Sequence, residues 1–349
     1  MSTSPVQCCA RSSARSAADQ PAITDLSIII VNWNSASYLR PCLASIYEYT
    51  TGLSFDIIVI DNASYDGSAK MVSESFPEVR YIQCESNLGF ARANNFAARS
   101  ATADVLLFLN PDTAISSEVF AKMLAHLRSH SSLGAVGPRL LNSDGSLQTS
   151  CVQAFPNITN QLLNSDFLQT KFPAWRVWGM NPLFNPLPAA ADAISGACFM
   201  VKRRLFEAIG GFTEAYFMYS EDIDLSYKLR EAGYVVHVLN DCCVIHHGGK
   251  SSSHQHDNFA NLAQLESLAI FFARTRGSLY CLGYRISMAG LSIARILLIV
   301  FLMLSGRKSI QGSASGTVLR KWINVFRWAV RPERSSPVCS AANMATGQK

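Results

Sequence analysis

The chain has 349 residues, 49% of them hydrophobic and 16% charged, with a formal net charge of +5. That length holds one large or two small domains around a sizeable core, and so apolar a composition excludes a disordered chain. The modest positive charge calls for no nucleic-acid partner. Basic residues gather toward the C-terminus, in Arg274-Thr275-Arg276 and from Arg307 to Arg334, a bias that suits a membrane surface.

Residues 1–24 are rich in Ser and Ala, carry Arg11 and Arg15, and lack an apolar stretch long enough for a secretory signal. They read as a disordered leader, with a transit peptide as the alternative. From Leu26 strands and helices alternate. The run 26–33 is continuously apolar, as in a strand buried on both faces, and 55–62, 79–84 and 104–112 read as a second, third and fourth strand. Helical spacing follows the first at Leu39, Leu43 and Ile46, and further helices are predicted near 90–100 and 116–129, before a strand-like run at 133–141. This alternation predicts an α/β fold with a mostly parallel central sheet covered by helices on both sides.

In such sheets ligands bind outside the carboxyl ends of the strands, and the polar residues cluster there: Asn32 and Asn34, Asp61 and Asn62, Asn110 and Asp112. Each has a plain alternative as a turn residue, since Asn, Asp and Pro-Asp pairs open turns on their own account. Their recurrence at successive strand ends favours a site.

Residues 142–192 carry five prolines and the aromatics Phe155, Phe172, Trp175, Trp178 and Phe184 without clear periodicity, which reads as a functional loop or lid. Those rings either stack on a ligand or pack beneath the loop. Beyond them, a small-residue turn, a strand and a basic helix start (193–212) lead into an acidic cluster, Glu221, Asp222 and Asp224. These three open a helical run ending at Gly233, and on structural grounds alone they complement the positive end of the helix dipole. A strand-like stretch then ends at His246 and His247. Ten scattered cysteines, with no CxxC, fit reduced thiols in a cytosolic compartment better than a disulfide framework.

Seven blocks in order, "SIIIVNWNSASYL", "IIVIDNASYDGS", "SNLGFARANNFAA", "LLFLNPDT", "SGACFMVKRRLFEAIGGF", "YFMYSEDIDLSYKLREAGY" and "VIHHGGKSS", resemble the family 2 glycosyltransferases of the GT-A type. The resemblance covers about residues 25–255 and is closest to the branch with bacterial rhamnosyltransferase-like enzymes. It implies a GT-A, Rossmann-like fold and transfer of a sugar, with dTDP-rhamnose as the leaning, from a nucleotide-diphosphate donor to an acceptor hydroxyl with inversion. By the same resemblance Asp61 contacts the nucleotide, with Asn32 and Arg92 beside it, and Gly196 and Ala197 form the turn that lets the donor sugar approach the backbone. Asp112 and His246 become ligands of Mg²⁺ or Mn²⁺, ions suited to carboxylate and, for Mn²⁺, imidazole donors. Many relatives carry Asp-x-Asp where this chain has Asn110-Pro111-Asp112, so Asn110 leaves only a weaker oxygen donor. Asp222 matches the catalytic base, while Glu221 and Asp224 orient the acceptor or the local structure. A structural histidine is the alternative for His246, and His247 is its near neighbour.

Residues 286–304 are apolar and about long enough to span a bilayer core, but Arg295 falls near their middle. Arg285, Ser292 and Arg295 share one arc, which fits a helix lying in the membrane interface; a single span and a buried core helix are the alternatives. The expected organisation is a leader (1–24), a glycosyltransferase domain (25–255), a membrane-associating helical region (256–332) and a disordered tail (333–349). The expected partners are a nucleotide-sugar donor, a glycan or lipid-linked acceptor of the cell envelope and the cytoplasmic face of the inner membrane, with no nucleic acid. Competing readings are a sugar-nucleotide-binding protein that has lost catalysis, for which Asn110 speaks, and a nucleotidyltransferase, against which the chain lacks a Gly-rich phosphate loop.

Overall fold

The computed structural model describes residues 24–164, 166–172, 174–185, 187–248, 257–305 and 313–331. The expected leader, apart from Thr24, and the expected tail lie outside them. The described residues fall into two compact units. One takes those of Met1–Phe155, Ala174–Phe217 and Glu221–His254; the other takes those of Pro156–Pro173, Met218–Ser220 and Gln255–Lys349.

The first half of the chain contributes β1 (Leu26–Asn32), α1 (Ala36–Tyr49), β2 (Phe55–Asp61), α2 (Ser68–Ser75), β3 (Arg80–Gln83), α3 (Phe90–Ala98), β4 (Val105–Leu109), β5 (Thr113–Ile115), α4 (Val119–Ser129) and β6 (Leu133–Leu141). There follow β7 (Val152–Gln153), α5 (Ile158–Leu163), α6 (Asp166–Lys171), β8 (Ala189–Ala191), β9 (Ala193–Ile194), β10 (Cys198–Lys202), α7 (Arg203–Ala208), α8 (Glu221–Glu231) and β11 (Val235–His246). The chain continues through α9 (Asp257–Arg276), α10 (Ser278–Leu304) and α11 (Ser313–Val330).

In the first unit one sheet runs in the order β3-β2-β1-β4-β10-β6-β11-β5, with β8 also on β11. The mostly parallel sheet of the sequence reading is realised as two parallel blocks, β3-β2-β1-β4 and β6-β11, joined by β10, which is antiparallel to both neighbours. The apolar runs explain the placement. Every residue of β1 and β4 is buried, and α1 covers the sheet with Leu39, Cys42, Leu43 and Ile46, α4 with Phe120, Met123, Leu124 and Leu127. Each large apolar side chain buried this way contributes roughly 1.5–3 kcal/mol. Two registers set up the rim: Asn32 pairs with Asp61, and the short antiparallel ladder of β5 on β11 pairs Thr113 with His246.

The stretch 142–192 is not one lid: it holds short strands and turns, and Phe155 and Trp178 are buried while Trp175 and Phe184 stay exposed. Phe155 packs edge-on against Tyr227 with the Arg230 guanidinium 4.0 Å above its ring.

The second unit is built on α9, α10 and α11 with α5 and α6. Phe272 meets Tyr284 at 4.8 Å between ring centres, and Tyr284 meets Trp328. Arg285 is buried; its Nε donates to Ala329 O (3.2 Å) and its Nη2 to Trp328 O (2.7 Å) and Arg331 O, neutralising the carbonyl end of α11. Arg295 lies over the Trp322 ring at 5.7 Å, and Ser292 is buried with its hydroxyl on Met288 O. The polar arc of α10 therefore faces α11. Leu279, Leu282, Ile286, Ile293, Leu297, Phe301 and Leu304 stand exposed elsewhere on α10. Among the described residues α10 is the one helix long and apolar enough to cross a membrane.

Candidate active site

At the ends of β1 and β2, Asn32 and Asp61 are fully buried, and Asn32 Nδ2 donates to Asp61 Oδ2 at 2.6 Å and to Ser68 Oγ at 3.0 Å. Asp61 Oδ1 accepts from Ser64 N (2.7 Å) and Gln83 Nε2 (3.3 Å). Asn62 pins the loop before α3, taking Leu88 N on its Oδ1 and giving its Nδ2 to Gly89 O. Gly89 has φ +79, and a Cβ there would fall 2.5 Å from Phe217 O, so no other residue fits. Asn34 and Ala63, beside the two aligned strand ends, also take positive φ.

Asp112 follows β4 and is buried, yet neither of its carboxylate oxygens has a hydrogen-bond partner. His246 Nε2 lies 3.3 Å from Asp112 Oδ1 and 3.2 Å from Asn110 Nδ2. Its other nitrogen, Nδ1, is 2.8 Å from Gln148 Oε1, while Gln148 Nε2 donates to Asn142 Oδ1. An amide oxygen only accepts, so Nδ1 carries the proton and Nε2 presents a lone pair. That lone pair faces Asn110 Nδ2, and once released from it the imidazole and the adjacent unpartnered carboxylate of Asp112 are donors of the kind a hard or borderline cation takes. No group of three His, Cys, Asp or Glu side chains among the described residues forms a closed metal cage. The residues thus fit an ion that takes its remaining ligands from water or a bound diphosphate.

Gly196 and Ala197 tie this corner to the acidic cluster. Asn110 N donates to Ala197 O at 2.9 Å, and Gly196 N donates to Asp222 Oδ2 at 2.8 Å. Asp222 Oδ1 takes the backbone N–H of Ile223. The residue as a whole keeps some solvent exposure. Burial raises the Asp222 pKa, against the backbone N–H groups of Gly196, Ile223 and Asp222 itself, which lower it. Glu221 is buried with Oε2 unpartnered, and burial, then the neighbouring Asp222, pushes it up to about 8.

Two expected residues stand apart. Asp224 faces inward, accepting from Thr213 Oγ1 (2.6 Å) and Tyr216 OH (3.2 Å) with Lys228 Nζ 3.6 Å away, so it organises the loop ahead of α8. Arg92 is exposed on α3, where its Nε lies 3.4 Å from Glu214 O and 3.9 Å from Glu214 Oε2. His247 donates its backbone N–H to Asp112 O, but its ring turns to Ser143 and Tyr38. Gln148 is the site residue missed from sequence; a lone Gln in "DGSLQTS" carries no signal of its own.

A mixed sheet with buried Asn and Asp at its strand ends, a carboxylate–imidazole pair and a carboxylate at a helix start is the arrangement of a GT-A-type glycosyltransferase. The Glycosyl transferase family 2 profile matches residues 27–210, and the chain belongs to that family. It is 27% identical over 266 residues to the N-acetylglucosaminyl-diphospho-decaprenol L-rhamnosyltransferase of Mycobacterium tuberculosis, covering 72% of this chain and 85% of that one. It is 25% identical over 261 residues to the rhamnosyltransferase WbbL of Escherichia coli K12, covering 71% and 93%. The mannosyltransferase PcManGT from Pyrobaculum calidifontis, solved with GDP-Man and Mn²⁺, superposes with a TM-score of 0.52 at 18% identity, covering 89% of this chain and 87% of that one.

Proposed function

We propose that this glycosyltransferase moves L-rhamnose from dTDP-rhamnose to a hydroxyl of a polyprenyl-diphospho-linked sugar, with inversion, for a cell-envelope glycan. The relatives' names support sugar and acceptor, and the bonded path from His246 and Asn110 through Ala197 and Gly196 to Asp222 carries the reading. In this reading Asp61 and Asn32 hold the nucleotide end, with Arg92 free to turn from Glu214 toward it. Asp112 and His246 hold Mn²⁺ or Mg²⁺, which when bound offsets the charge of the departing diphosphate. PcManGT, as a neighbour of the same fold crystallised with Mn²⁺, supports a divalent ion.

Asp222 takes the proton of the acceptor hydroxyl as that oxygen forms its bond to the anomeric carbon; the bond to the diphosphate breaks and its electron pair leaves with the nucleoside diphosphate. The donors from Gly196 and Ile223 fix the carboxylate and leave lone pairs on both oxygens. Burial makes it a stronger base than a surface aspartate. Glu221 beside it, held uncharged at neutral pH, orients the acceptor without repelling it.

The exposed apolar side chains of α10 lie in the cytoplasmic leaflet, where exposed Arg320, Lys321 and Arg327 on α11 meet anionic headgroups. In this reading the enzyme works beside a lipid-linked acceptor. Full recovery of the protein below a flotation gradient of anionic vesicles would count against the attachment. The donor is tested by thermal stabilisation with a panel of nucleotide sugars, with and without Mn²⁺. A donor at 100 times its Kd adds about 2.7 kcal/mol by mass action. The reading stands if dTDP-rhamnose gives the largest Mn²⁺-dependent shift, and fails if no nucleotide sugar shifts the transition.

A further inference from the structure

The residues just ahead of Glu221 and Asp222 are held in an unusual way. Tyr219 (φ 70) and Ser220 (φ 62) are consecutive left-handed residues, a conformation that side chains other than glycine rarely adopt. Of the four described non-glycine residues with positive φ, the other two, Asn34 and Ala63, border the nucleotide corner. Such conformations persist only where the surroundings hold them.

What holds this turn comes from the C-terminal helices. Met218–Ser220 belong to the helical unit, although Phe217 and Glu221 on either side belong to the sheet unit. Ser267, a buried residue of α9, donates its hydroxyl to Met218 O at 2.8 Å. Helical hydroxyls ordinarily return to their own helix, as Thr275 does to Phe271 O, Ser287 to Gly283 O and Ser292 to Met288 O. Ser267 instead reaches 49 residues back along the chain. Upstream, Phe217 O is fixed by Phe90 N at 2.9 Å; downstream, Asp222 is fixed by Gly196 N. The turn is pinned at its start and at its middle, and its last residue opens α8.

We infer that Ser267 is a positioning residue for the acidic pair: its bond to Met218 O holds the left-handed turn, and the turn sets where α8 begins and where the Asp222 carboxylate points. The inference rests on the reading of Asp222 as the base.

The test uses the full chain with Ser267→Ala, Ser267→Thr and Ser220→Gly. Backbone hydrogen exchange of residues 219–224 should quicken about tenfold in Ser267→Ala, the change expected from loss of one buried hydrogen bond, and return to wild type in Ser267→Thr. Ser220→Gly, which loosens the turn from within, should quicken the same amides with no loss of melting temperature, and it decides the question if Ser267→Ala does not fold. With dTDP-rhamnose and N-acetylglucosaminyl-diphospho-prenol, kcat should fall in Ser267→Ala while the donor KM stays within about twofold, since only transition-state alignment is lost. Unchanged exchange at 219–224 in a folded Ser267→Ala, or failure of Thr to restore it, overturns the inference whatever Asp222→Asn does. A wild-type transfer rate in Asp222→Asn overturns the base assignment whatever the exchange shows.

Discussion

The two corners of the sheet rim differ in how complete they are. At the nucleotide corner both oxygens of the buried Asp61 carboxylate already have donors, and Asn32 Oδ1 is the acceptor left over there. At the catalytic corner both oxygens of Asp112 and one of Glu221 are buried without partners. Burying a polar group unpaired costs on the order of 1–3 kcal/mol, more for a charge. The Asp61 carboxylate is satisfied by the fold; the Asp112 carboxylate is not.

The contrast can be broken most sharply at Asp222. Asp222→Asn should lower transfer by about 10²–10⁴-fold, the usual worth of a positioned base, with donor-induced stabilisation kept; a rate within a few-fold of wild type would remove the base. Asp112→Asn should abolish the Mn²⁺-dependent part of the donor's thermal shift, yet melt at or above the unliganded wild type, because a neutral amide replaces a carboxylate lacking donors. Asn32→Ala does the opposite. It strips a donor from Asp61 and should cost about 1.5–3 kcal/mol of stability before any ligand is added, measured by denaturant unfolding.

The smallest effect concerns Glu221 and sharpens the contrast through pH. Its pKa is raised from 4.5 to about 8, so the folded state holds a proton that the unfolded state releases. The stability this gives is fully present below about pH 4.5 and is lost as pH rises toward 8. Glu221→Gln has no such loss. Its melting temperature, relative to wild type, should climb steadily between pH 5 and 8.5. A flat difference would show that Glu221 ionises normally.

Much of this was legible before the structure. Continuous apolar runs marked β1, β2 and β4, because strands covered on both faces have no polar side to betray them. The rim residues followed from the strand ends. Strand direction was not legible: nothing in "CFMVK" says that β10 runs antiparallel between two parallel blocks. Nor does spacing tell Asp222 from Asp224, two residues apart on α8; it took the positions of Gly196 and Thr213 to aim one outward and the other inward. Arg295 looked costly for a helix in lipid, and the sequence did not show that its guanidinium lies over the Trp322 ring of α11.

The turn at Gly196 and Ala197 has a consequence for redesign. Its two peptides serve opposite masters, one carbonyl steadying position 110 and one amide steadying position 222. A methyl group added at Gly196 would come within 3.3 Å of the Asp222 Cβ. Room for a bulkier sugar therefore cannot be made by substitution at this hinge without dragging the base and the cation corner together, and a broader donor range has to be sought in the side chains around it.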